Sequence, residues 1–292
     1  MERKAVLGIM LALLLTSMLI LTFNIHQVEA SGTIYIRPDG SVDPDTAPIS
    51  TVDNVTYTIT DNINESIVVE RDNIVVDGTG YTLQGIEDGE GITITNRTNV
   101  TIKNVEIKGF NFGISLIESS NNSISKNDVR AHNINGITLS KSSNNIIFGN
   151  NVTYNYFGIY FYSSFDNVVY HNNFVNNTNQ FDLVLGSVIA WDNGAEGNYW
   201  SDYEENYPDA KELNVSGVWN TPYVIDDYNQ DRYPLMNPTW GPIPTAMEVP
   251  FWMQWWFWTT IAIVVVASAG ALYFLKKRKA PIVPTPPAEG TV

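Results

Sequence analysis

Asn99-Val100-Thr101-Ile102-Lys103-Asn104, Asn122-Ser123-Ile124-Ser125-Lys126-Asn127, Asn145-Ile146-Ile147-Phe148-Gly149-Asn150 and Asn167-Val168-Val169-Tyr170-His171-Asn172 are one phrase written four times. Their aliphatic residues Ile102, Ile124, Ile147 and Val169 recur at steps of 22, 23 and 22. The same steps relate Ile107, Val129, Val152 and Phe174; Ile92, Ile114, Ile137 and Ile159; and Ile94, Leu116, Leu139 and Phe161. A fixed period of this size marks a unit that buries its apolar side only by stacking on copies of itself. Within each unit apolar and polar residues alternate, as in Gly136-Ile137-Thr138-Leu139 and Gly158-Ile159-Tyr160-Phe161, which is the period of a half-buried strand. Helical repeats need a period near 3.6, and the β-branched residues, glycines and asparagines here oppose helix. The fold predicted is therefore all-β: a right-handed parallel β-helix in which short strands wind once around and stack on the turn below at about 4.8 Å.

The corners account for the composition. Asn121-Asn122, Asn144-Asn145 and Asp166-Asn167 sit where the chain bends, and these side chains tolerate left-handed backbone angles while bonding to nearby backbone. Asn127, Asn150 and Asn172 form another column, which is either an inward amide ladder or a row of ligand contacts. Gly113, Gly136 and Gly158 stand before inward aliphatic residues, where a side chain would crowd the next turn.

The repeat sets the domain plan. Residues 1–30 read as a signal segment, with Arg3 and Lys4 before an apolar run from Ala5 to Phe23 and a small-residue ending, Val28-Glu29-Ala30. Residues 31–66 are expected to be capping strands, 67–189 the solenoid of about five or six coils, and 190–236 an aromatic, acidic C-terminal cap. A proline-rich tether, residues 237–250, leads to Phe251–Leu275, an apolar run long enough to cross a hydrocarbon core of about 30 Å. Trp252, Trp255, Trp256 and Trp258 crowd its start and Lys276-Lys277-Arg278-Lys279 follows it. That pattern places the basic side and the tail, residues 276–292, in the cytoplasm and the solenoid outside the cell membrane.

The chain has no cysteine, so an exported solenoid must hold itself by burial alone. Between Ser31 and Pro250 there are 28 aspartates and glutamates against 10 lysines and arginines. Such an acidic surface opposes nucleic acid and leaves glycans and envelope proteins as partners. Eight Asn-x-Ser/Thr sequons, at Asn54, Asn64, Asn96, Asn99, Asn121, Asn151, Asn176 and Asn214, are candidate glycan acceptors.

With Ile159 and Phe161 inward, alternation sends Tyr160 and Tyr162 outward, and Tyr154, Tyr156 and Tyr170 lie on the same or the next coil. Tyrosine rings stack on sugars while their hydroxyls bond sugar hydroxyls, so these five are the candidate ligand-stacking residues. No catalytic, cofactor-binding or metal-binding residue is assigned. The acids Asp128, Asp166 and Asp182 do not fall at one station of the repeat, and polysaccharide cleavage needs clustered carboxylates on one face of adjacent coils. A non-catalytic surface module is therefore expected rather than an enzyme.

The Asn-x-Ile-x-x-Asn turns, the Gly-Ile-x-Leu strands, Gly197-Asn198-Tyr199-Trp200-Ser201-Asp202-Tyr203 and Thr221-Pro222-Tyr223-Val224-Ile225-Asp226 leading to Asp231-Arg232-Tyr233-Pro234-Leu235-Met236 together resemble the archaeal cell-surface proteins with NosD-like β-helix repeats. That group is related to the carbohydrate-binding and sugar-hydrolase solenoids. The resemblance covers roughly residues 60–236. It implies either a carbohydrate-active solenoid or periplasmic copper handling, and a calcium loop between the two C-terminal motifs. Glu204 to Asn220 lacks the Asp-x-Asp-x-Asp-Gly pattern of such a loop. Copper sites are built from Cys, His and Met, and the exported part offers His132, His171, Met236 and Met247. The two histidines stand at different stations of the coil, each expected to be a surface imidazole.

Overall fold

The computed structural model describes residues 32–239. Three parallel sheets wrap one continuous core. Sheet A stacks Thr33–Ile36, Ser66–Val69, Glu90–Thr95, Phe112–Ile117, Asn135–Ser140, Phe157–Tyr162 and Asn179–Val184. Sheet B runs from Thr56–Ile59 to Ile189–Ala190, and sheet C from Thr82–Gln84 to Tyr199–Trp200. The four aliphatic columns are register partners: Ile102, Ile124, Ile147 and Val169 follow one another across adjacent strands of sheet B. Ile107, Val129, Val152 and Phe174 do the same in sheet C, and the Ile92 and Ile94 columns in sheet A. All of these residues are 0% exposed.

The solenoid has about seven turns, not five or six, because the winding begins at Thr33. Ile34 pairs in parallel with Ile67, 33 positions on, and Ile67 with Ile92, 25 positions on. These longer turns break the period of 22 or 23 and hide it from a reading by repeat. Capping at this end falls to two short antiparallel strands, Val42–Asp43 on Thr33–Ile36 and Ile49–Ser50 on Thr56–Ile59, which blunt edges that would otherwise invite association.

At the other end the cap first extends the solenoid, adding Ile189–Ala190 to sheet B and Tyr199–Trp200 to sheet C. It then closes the core with rings: Phe174 stacks on Trp200 at 4.7 Å, and Trp200 on Tyr223 at 4.3 Å. The only described helix is the single turn Tyr203–Asn206. Among the described residues no helix is long and apolar enough to cross a membrane. The signal segment, most of the tether, the apolar run Phe251–Leu275 and the tail lie outside the described residues.

The asparagine column is an amide ladder. The side-chain amide of Asn127 donates to Oδ1 of Asn150 at 3.0 Å, that of Asn150 to Asn172 at 2.9 Å, and that of Asn172 to Asn198 at 3.0 Å. Each Oδ1 also accepts the backbone N–H of the residue one turn below. A second ladder runs through Asn122, Asn145 and Asn167, immediately after the left-handed residues Asn121, Asn144 and Asp166. A serine column, Ser119, Ser142, Ser164 and Ser187, bonds in the same manner. The corners thus satisfy backbone groups that burial would leave unpaired, each at a cost of about 1–3 kcal/mol. The glycine column follows from the same closeness: a Cβ on Gly113 would stand 2.5 Å from the Gly136 carbonyl, and one on Gly158 2.5 Å from that of Gln180.

Candidate binding face

Outward positions of the three sheets carry three different chemistries, because the register that stacks inward residues also aligns those between them. On sheet B, Phe148 lies between Ser125 and Tyr170. The Phe148 and Tyr170 rings stack with centroids 5.5 Å apart and planes 10° apart. Ile146 beside them is 42% exposed and pairs with Val168, which in turn pairs with Ala190. Beyond Ala190 opens a cleft of about 500 Å³ lined by Asp166, Val168, Val188, Tyr228, Gln230 and Arg232.

The polar wall of this cleft is fixed. Arg232 donates from Nε and Nη2 to the two carboxylate oxygens of Asp192 at 2.9 and 2.6 Å. Burial pushes the Asp192 carboxyl up, but hydrogen bonds from the Arg232 side chain and backbone outweigh it and hold the group below the usual carboxylate range. Tyr228 is 85% exposed at the rim. His171 sits edge-on to Tyr170 at 5.0 Å, its Nε2 2.6 Å from Glu196.

The five tyrosines singled out by alternation do not share one patch. Tyr170 belongs to the sheet B face. Tyr160 and Tyr162 point outward from sheet A as expected, Tyr160 between Thr138 and Asp182. The Phe157 ring lies 6.4 Å from that of Tyr160 and meets Tyr156 edge-on at 4.8 Å. Burial, then the charge of Asp182, raises the Tyr160 hydroxyl above its ordinary range. Tyr154 occupies a left-handed corner, its hydroxyl accepting from Asn176. Phe148 also points outward by alternation from Ile147, and its station carries Lys103, Ser125 and Tyr170 on the other turns, so no aromatic column marks it in the sequence.

Sheet C carries charge. Asp128, Asp166 and Asp182 do stand on different faces, but Glu106, which the sequence reading did not consider, is the direct register partner of Asp128, 22 positions on. Burial raises Glu106, but the Thr82 hydroxyl at 2.6 Å, Arg130 and Lys108 bring it below its ordinary range. Burial pushes Asp128 up to about 6, against the pull of Arg130.

Of the eight sequons, Asn151 is 3% exposed and its Oδ1 accepts from the Asn173 amide. The folded chain therefore leaves that site no room for a glycan. The other seven are exposed. Asn54, Asn96, Asn99, Asn121, Asn176 and Asn214 have left-handed φ, so turn chemistry by itself explains most of the sequon count.

Residues 20–205 match the family described as periplasmic copper-binding protein (NosD). The chain belongs to the NosD family. No curated protein and no solved structure matches it. The match takes in the solenoid and the first of the two C-terminal motifs.

The copper of the NosD description does not fit the two described histidines, His132 and His171. His132 is buried, not a surface imidazole: it is 3% exposed and takes a rung of a third ladder, with Asn155 and Asn177 above it. Its Nδ1 lies 3.3 Å from the Phe110 backbone N–H and its Nε2 3.1 Å from the Ile107 carbonyl. Burial lowers its pKa to about 4. Both ring nitrogens are thus committed to the chain, and His171, on the surface, pairs with Glu196. Among the described residues no three His, Cys, Asp or Glu side chains are grouped to hold an ion.

Proposed function

We propose that this NosD-family chain is a membrane-anchored, extracytoplasmic solenoid that binds a glycan on its sheet B face without transforming it. The observation that carries this reading is the Phe148–Tyr170 stack on the same strands as Ile146 and Val168, Val168 in turn lining a cleft whose Arg232–Asp192 pair is already locked. Sugar sites combine a flat apolar surface with a few fixed polar groups, and both are in place before any ligand arrives. The acidic ectodomain favours neutral or basic glycans over anionic ones. The apolar run Phe251–Leu275 and the basic cluster after it support a single-pass anchor with a cytoplasmic tail. The copper role in the family's description has no support in the residues around His132 and His171.

The test is a glycan array probed with the full-length protein in detergent. Each of Phe148→Ala and Tyr170→Ala should weaken retained glycans by about 1 kcal/mol, while Tyr160→Ala and Tyr162→Ala should not. Equal loss in all four variants, or no signal from the unaltered protein, would remove this reading.

One observation favours a second reading, a polysaccharide-active enzyme: Glu106 and Asp128 are aligned with their pKa values pushed apart, as in paired acid–base chemistry. Glu106 is, however, tied to Thr82, Lys108 and Arg130, which leaves it a weak base. Release of reducing ends from any neutral glycan, abolished by Glu106→Gln and by Asp128→Asn, would establish the enzyme instead.

A further inference from the structure

The three sheets end differently at the cap. Sheets B and C each receive a last short strand, Ile189–Ala190 and Tyr199–Trp200, but sheet A stops at Asn179–Val184, with no described strand beyond it. This is a six-residue strand. The Ser163 N–H donates to the Val184 carbonyl at 3.1 Å, and Val184 pairs with Tyr162. The alternation of a parallel ladder then turns the backbone groups of Gln180, Asp182 and Val184 toward the preceding strand and those of Phe181 and Leu183 toward the open side. Two N–H and two C=O groups therefore face away from the sheet. Backbone groups in folded chains are nearly always paired, and a row of free ones is a template for another strand.

The core is less fully covered at this edge, although the Phe181 ring meets Trp191, Trp200 and Tyr223 of the cap. Ile159 and Phe161, one turn earlier in the same columns, are 0% exposed, whereas Phe181 and Leu183 are only partly buried. One more strand with apolar residues facing inward would cover both. Edges that must stay free are usually guarded by lysine, proline or a bulge, and Asn176 to Ala190 contains neither lysine nor proline. The surroundings are acidic. Asp182 projects from the outer face of the strand, Asp202 accepts from the Gln180 amide at 3.3 Å, and the turn Tyr203–Asn206 carries exposed Glu204 and Glu205.

We propose that Asn179–Val184 is a docking edge for a partner protein: it accepts an extended, basic segment with alternating apolar residues as an eighth parallel-sheet position. The backbones of Phe181 and Leu183 would hold the added strand, and its inward side chains would complete the core over those two residues. Asp182, Asp202 and Glu204 supply the preference for positive charge. This surface is separate from the sheet B face, and its occupancy does not depend on glycan binding.

The test uses full-length protein in detergent and two labelled eight-residue peptides, one alternating lysine with valine and the other glutamate with valine. The lysine peptide should bind and slow amide hydrogen exchange at Phe181 and Leu183, and the glutamate peptide should not. Leu183→Pro removes one outward N–H without touching the bonds to Phe157–Tyr162, and should weaken the lysine peptide at least about tenfold. Should Leu183→Pro fail to fold, Asp182→Lys, altered only on the outer face, should weaken the lysine peptide and strengthen the glutamate one. Equal binding of both peptides, binding without protection of those amides, or no binding would overturn the proposal. Protection of the same amides in protein alone, lost on dilution, would assign the edge to a second copy of this chain and overturn it as well.

Discussion

The first turns and the later turns enclose the same kind of aliphatic core, but close their corners by different means. From Thr33 to about Gly91 the corners rely on isolated, exposed bonds instead of continuous columns. Asp53 accepts from the backbone of Val55 and Thr56 and Asp77 from that of Thr79, all within one corner, while Asn62 accepts the Thr82 N–H of the next turn at an exposed corner. From about Ile92 onward the corners are buried amide and hydroxyl columns in which every member bonds to the member of the next turn. The first arrangement tolerates turns of 33 and 25 residues; the second keeps to 22 or 23 as far as Asn172 and lengthens to 26 only at its last step, to Asn198. A ladder rung must lie directly over its neighbour, so a residue inserted beside a rung would break two sets of bonds. A turn closed by its own side chains has no such obligation. The period visible in the sequence is the imprint of the ladders.

That contrast can be broken most forcefully at the middle of a ladder. Asn150→Ala removes the acceptor of both the Asn127 N–H and the Asn127 amide, along with the donor to Ile124 carbonyl. It should cost about 4 kcal/mol in urea unfolding, since each buried orphan costs about 1–3 kcal/mol. Asn62→Ala, which loses one exposed bond to Thr82, should cost about 1 kcal/mol. Equal losses would mean that the ladders confer no special cohesion.

The pH dependence of stability sharpens the same contrast, because the ladder containing Asn150 ends on a carboxyl. Asp231 accepts from the Asn198 backbone at 2.7 Å and from Trp200 Nε1 at 2.9 Å, and is 0% exposed. Burial pushes it up to about 7, against these hydrogen bonds. Its folded value exceeds its unfolded value of about 4, so the folded chain holds the proton more tightly. The resulting stability is complete below about pH 4 and is lost as the pH rises through about 7, an effect on the order of 4 kcal/mol. Urea midpoints measured from pH 4 to 8 should carry this decline in the unaltered protein and lack it in Asp231→Asn, whatever that variant's absolute stability.

Much of this was legible in the residues, and what was not has physical causes. The four inward columns could be read because burial restricts them to Ile, Val, Leu and Phe, so the repeat survives in residue type. The early turns could not, since Ile34, Ile67 and Ile92 obey the same rule without a common spacing. His132 was misread because an imidazole replaces an amide at its rung. Counting back 23 and 45 positions from Asn155 and Asn177 reveals it, whereas counting forward from Ile124 does not. Glu106 and Asp128 stand one residue before Ile107 and Val129 of an inward column, so their spacing was legible, but outward positions vary freely and the other turns carry Thr82, Asn151 and Asn173 at that station. The cleft by Arg232 joins Asp192 to a residue 40 positions away across the cap, a closure that no local pattern encodes.

Amide hydrogen exchange, read residue by residue on the intact protein, separates the buried rungs from the exposed corners. The N–H groups of Asn127, Asn150 and Asn172 should exchange only through global unfolding, while that of Thr82, held by Asn62 at an exposed corner, should exchange faster through local opening. Ladder amides that exchange as fast as Thr82 would contradict the account.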